Sequence, residues 1–165
     1  MSNDRTGRSL AGGLLCALLM ACGSDQGSNQ AGASAPVANG SVPAWRGVLQ
    51  SVTDVAVLTK AASDAAATAA NFAVLAGPAL CDVLVKSIVH ATAGPNDEVT
   101  RISGALLIPQ GVGCSGPFPL LAYARGTATD RTRTMADPLD RETSLLINLF
   151  AARGYIVVAT DYLGY

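Results

Sequence analysis

Charge of one sign is missing from this 165-residue chain: eleven basic side chains face twelve acidic ones, and only 14% of residues are charged. That balance excludes the basic footprint a nucleic-acid-binding surface needs. Aromatic residues are scarce at 5%. They are not grouped with basic residues into a platform on which bases could stack. No apolar run reaches the roughly 18 residues that span a bilayer as a helix. There is a single histidine, His90. The chain holds no H-E-x-x-H, no C-x-x-C and no P-loop, so metal and phosphate chemistry have no visible ligand set. A G-x-S-x-G nucleophile elbow is also lacking.

Half of the residues are hydrophobic, which excludes a disordered chain, and the length suggests one domain. The N-terminus qualifies that estimate. Arg5 and Arg8 precede an apolar stretch at 10–21, the charged start and short apolar middle of an export signal. The stretch ends Leu19-Met20-Ala21-Cys22, which resembles a bacterial lipobox. The resemblance implies cleavage after residue 21, acylation of Cys22 and a membrane partner reached through that lipid. Gly23 follows with no acidic residue, which points to the outer membrane. Residues 22–41, rich in Gly, Ser, Ala, Asn and Gln, read as a flexible tether. The organisation expected is thus signal 1–21, tether 22–41 and folded part 42–165. Cys81 and Cys114 then remain, and an exported, oxidising setting makes them a disulfide candidate. Neither has a histidine to activate it as a nucleophile.

Within the folded part, the Ala-rich segment 60–76 predicts a helix closed by Gly77-Pro78. Residues 82–92 and 99–109 predict strands paired as a hairpin around Gly94-Pro95-Asn96-Asp97. Residues 120–124 form a continuous apolar run that suits a strand buried on both faces. A polar segment follows, with eight charged residues among the eighteen of 125–142. Asp137-Pro138 supplies a helix start. Leu145, Leu146, Leu149 and Phe150 share one helical stripe, Gly154 stops the helix, and 155–160 is a further buried strand. Strand, helix and strand of this length predict a parallel crossover.

Gly111-Val-Gly113-Cys-Ser-Gly116 matches the dinucleotide fingerprint literally, yet Pro117-Phe-Pro119 and a strand follow it. Without a helix N-terminus it holds no pyrophosphate and reads as a connecting loop. His90 reads as a half-buried strand residue.

What remains is Tyr123-Ala-Arg125-Gly126-Thr127 after one strand and Arg153-Gly-Tyr-Ile-Val-Val-Ala-Thr-Asp161-Tyr-Leu-Gly-Tyr165 around the next. In this order the segments resemble the N-terminal part of an α/β-hydrolase, and most closely the bacterial exported esterases related to secretory lipases. The resemblance covers about residues 80–165. It implies an α/β fold opening with a β-hairpin and a parallel β-α-β unit, in which the 120–124 strand would lie between the 155–160 strand and one supplied from beyond Tyr165. It implies that Gly126 and Thr127 occupy the oxyanion loop, with Thr127 as the amide donor, and that Arg125 stands where the family has histidine. Asp161, Tyr162 and Gly164 match the family's next turn, a structural one. Serine, acid and histidine would follow later in such an enzyme, so the chain is expected to be an N-terminal piece, inactive alone. Ester or lipid substrate would bind only a completed domain, and the resemblance implies that such an enzyme needs no cofactor. The competing expectation is a small, non-catalytic, lipid-anchored protein with a binding or structural role.

Overall fold

A computed structural model describes residues 42–165. The signal, Cys22 and the tether lie outside the described residues. The chain forms β1 (Leu49–Leu58), α1 (Lys60–Ala69), α2 (Ala73–Ala76), β2 (Asp82–Ala93), β3 (Val99–Gln110), β4 (Leu120–Ala124), α3 (Arg141–Leu149), a short 3-10 turn (Ala151–Arg153) and β5 (Ile156–Thr160). The five strands make one sheet in the order β1-β2-β3-β5-β4. β2 and β3 are the expected hairpin, paired without interruption from Asp82↔Gln110 to Ala93↔Val99. β5 lies antiparallel to β3, and β4 runs parallel to β5. This is the α/β arrangement the sequence predicts.

Register fixes which side chains share a face, because successive residues of a strand alternate sides. Val83, Val85, Ala105, Leu107, Val157 and Ala159 point to one side, where Leu146 and Ile147 of α3, Ala151, Ala152 and the loop residues Met135 and Ala136 bury them. Each is almost completely removed from water. The other face carries Leu84, Leu106, Ile108, Ile156 and Val158, half-buried, and Leu120, 69% exposed. Among the described residues this face has no helical layer. β3 and β5 approach each other closely at Gly104, where a Cβ would stand 2.6 Å from the Ala159 carbonyl oxygen. Only glycine leaves that backbone contact unstrained.

Cys81 and Cys114 form the disulfide. It joins the residue before β2 to the loop after β3, at the end of the hairpin opposite its turn.

Several sequence expectations are corrected. Segment 60–76 is two helices, because Asn71 adopts a left-handed φ of 61° and breaks the ladder. β1 was not foreseen; it pairs with β2 through two register shifts, near Ser51 and Ala56, that disrupt alternation along its sequence. β4 is not buried on both faces: it is an edge strand of the described sheet, with Ala122 and Ala124 exposed. α3 starts three residues later than Asp137-Pro138 suggested. Its cap is Asp140, whose carboxylate accepts the amides of Glu142 and Thr143 at 2.9 and 3.3 Å. The Asp140 carboxyl lies below its ordinary pKa; burial pushes it up, but a hydrogen bond from Arg133 and the two amides outweigh that. The buried stripe of α3 is Thr143, Leu146, Ile147 and Asn148, so Leu145 and Leu149 flank the core and do not fill it.

Candidate functional site

The chemistry-bearing residues gather at the carboxyl ends of the parallel pair β4 and β5. In α/β sheets this is where ligands bind, since the turns that leave the strands converge there. Two turns meet, 125–128 after β4 and 161–165 after β5.

Arg125 continues the inward-facing positions of β4, and Asp161 those of β5. Their side chains are 1% and 0% exposed, and Nη1 of Arg125 donates to Oδ1 of Asp161 at 2.8 Å. Burying such a pair is tolerable only when the remaining lone pairs are also satisfied. Asp161 meets that condition: it accepts the Ser103 hydroxyl at 2.7 Å, the Thr134 hydroxyl at 3.0 Å and the Met135 amide at 3.0 Å. Arg125 also donates to the Arg133 carbonyl at 3.2 Å and lies 4.9 Å from the centre of the Tyr165 ring. Its Nε has no partner among the described residues.

The second turn clamps the first. The Tyr162 hydroxyl donates to the Arg125 carbonyl at 2.5 Å, and that of Tyr165 donates to the Ala128 carbonyl. Gly164, at φ +89°, supplies the left-handed residue that brings Tyr165 back. From the other side, the Gly126 amide donates to Oε1 of Glu142 at 2.6 Å. Neighbours of Thr127 are thus tied on both sides. Thr127 is exposed, and neither its amide nor that of Ala128 finds an acceptor among the described residues.

Oε1 of Glu142 also accepts the Tyr123 hydroxyl at 2.6 Å. That bond, with burial and the Glu142 charge behind it, pushes the Tyr123 phenol up to about 12. A raised phenol pKa favours the protonated, folded form. The stabilisation is fully present below pH 10, the unfolded value, and is lost as pH rises through about 12.

The structure therefore places Gly126 and Thr127 together in one turn, with Arg125 beneath them. His90 lies half-buried on β2, paired with Ile102 of β3, and the Gly111–Gly116 loop leads into β4 with no helix. Among the described residues no cluster of three or more His, Cys, Asp or Glu side chains is placed to hold a metal ion. Glu142 was missed by sequence reasoning. It belongs to no motif, and its partners lie 16 and 19 residues away.

The fold has counterparts among solved structures. The rice cell wall degrading esterase LipA from Xanthomonas oryzae is 34% identical, with a TM-score of 0.61; the match covers 72% of this chain and 30% of that one. A Legionella pneumophila protein described as a candidate hydrolase shares the fold at 22% identity and a TM-score of 0.57, over 70% of this chain and 30% of its own. The described segment is thus built as the N-terminal part of an α/β-hydrolase sheet. It spans about 30% of the length of the esterase it matches. No protein-family model matches the chain, and no curated protein does so either.

Proposed function

We propose that residues 42–165 form the N-terminal part of an exported serine carboxylic-ester hydrolase anchored to the outer membrane through acylated Cys22. The observation that carries this reading is the turn at 125–128: braced on both sides, exposed, and offering a free amide at Thr127 at the carboxyl end of a parallel strand. Likeness to the esterase LipA supports it. Attack of a serine on an ester builds negative charge on the carbonyl oxygen, and a pre-positioned amide stabilises that charge without reorganising. Losing one such donor costs about 3–4 kcal/mol in well-studied hydrolases. No metal or cofactor is required for this chemistry.

The nucleophile is not supplied by a G-x-S-x-G in this chain. His90 precedes every position at which the nucleophile of such an enzyme would fall, whereas the histidine follows it in this fold class. The purified 22–165 segment is therefore expected to show no turnover of short-chain acyl esters above background. Turnover abolished by a serine-directed inhibitor would overturn this reading.

One observation favours a second reading, a lipid-anchored protein with a non-catalytic role: arginine, not histidine, stands before Gly126. The two readings differ in the state of the uncovered sheet face. A finished small protein unfolds cooperatively with no tendency to associate, whereas one opening part of a larger sheet exposes Leu120 and its neighbours and aggregates.

A further inference from the structure

We propose that Glu142 is a positioning residue for the 125–128 turn: it withdraws the Gly126 amide, so that Thr127, followed by Ala128, is the first open amide the turn offers. This rests on the reading of that turn as the oxyanion side of an ester hydrolase, and adds to it the residue that withdraws the competing Gly126 amide.

The geometry points to Glu142 because it is held from three directions and itself holds the turn. It stands in the first helical turn of α3, where the helix dipole and unpaired amides favour a carboxylate. Oε1 receives the Tyr123 hydroxyl from β4 and the Gly126 amide from the turn, both at 2.6 Å. Oε2 lies 3.7 Å from Nη2 of Arg133, which is itself fixed to Asp140 at 2.7 Å. The strand end, turn and helix start therefore meet on one carboxylate, 18% exposed. A free amide at Gly126 would compete with Thr127 for the developing oxyanion. Glu142 removes that competition, and Arg133 offsets the negative charge that would otherwise oppose the oxyanion.

Two measurements test this. In the full chain, isotope-labelled and held in detergent, amide hydrogen exchange should be on the order of tenfold slower at Gly126 than at Thr127. Glu142→Ala should raise the Gly126 rate about tenfold and leave Thr127 unchanged, while Glu142→Gln, whose amide oxygen still accepts, retains the protection. In parallel the Tyr123 phenol should titrate near about 12 in the native chain and fall toward its ordinary 10 in Glu142→Ala. A Gly126 amide that exchanges equally fast with and without Glu142, or a protected Thr127 amide, overturns the proposal.

The second arm uses a chimera in which residues 42–165 replace the matching part of LipA. Glu142→Ala should lower kcat about tenfold with KM within about twofold, the signature of an interaction made in the transition state. Glu142→Gln should restore kcat. A cooperatively folded chimera with no esterase activity overturns the hydrolase reading. An active chimera whose kcat ignores Glu142→Ala overturns the positioning role alone.

Discussion

Replacing Asp161 with alanine is expected to cost the fold about 3–5 kcal/mol, because it strands the buried Arg125 guanidinium without its counter-charge. The Ser103 and Thr134 hydroxyls and the Met135 amide lose their acceptor in the same step. Domains of this kind are stable by only about 5–15 kcal/mol in total, so the variant should populate unfolded forms in buffer. A denaturant titration read by far-ultraviolet circular dichroism would show the midpoint collapse. A change below about 1 kcal/mol would place the pair among interactions that contribute nothing net. The companion variant, Arg125→Met with Asp161→Leu, separates a lost charge pair from a lost shape. Apolar replacement of both partners removes the unpaired charge and should recover most of the loss, although two hydroxyls and the Met135 amide still lack an acceptor.

Removing the disulfide should cost nearly as much. Cys81 and Cys114 are 33 residues apart, and a cross-link over a loop of that size restricts the unfolded chain by about 3–4 kcal/mol in the chain-entropy model. The bond lies at the open end of the β2–β3 hairpin, just past the Asp82↔Gln110 pair, where it adds no new topology to the folded state. Its contribution therefore arises in the unfolded chain. Cys81→Ala together with Cys114→Ala, or reduction of the native chain with a dithiol, should lower the denaturation midpoint equivalently. A midpoint insensitive to reductant would show that the unfolded chain keeps the hairpin end closed without the bond.

Much of the fold was legible because its signals are local. β-branched runs at 82–92 and 99–109, separated by Gly94-Pro95-Asn96-Asp97, specify a hairpin from propensity and turn chemistry alone. β1 was less legible, since its two register shifts break the alternation that marks a half-buried strand. At α3, Asp137 and Asp140 both satisfy the local pattern of a cap. The choice falls to Asp140, whose carboxylate also pairs with Arg133, a contact that propensity does not encode. The turn at 125–128 was found through the family resemblance. The reason it is rigid was not, because Asp161, Tyr162, Tyr165 and Glu142 reach it from 16 to 37 residues away. The charged segment 125–142 reads as solvated, yet its first residue is a buried ion and its last a doubly bonded carboxylate.

The Asp161 carboxylate also has a place in time. It collects Ser103 from 58 residues away, Arg125 from 36 and Met135 from 26, so each of its bonds closes only when segments far apart in the chain have met. The contacts of the β2–β3 hairpin are local by comparison and need no such meeting. Interactions absent from the transition state act on the unfolding rate and leave the folding rate alone. Asp161 substitutions should therefore shorten the lifetime of the folded chain in stopped-flow unfolding. On that expectation the residue acts as a latch, setting how long the braced turn persists once formed more than how fast the sheet comes together.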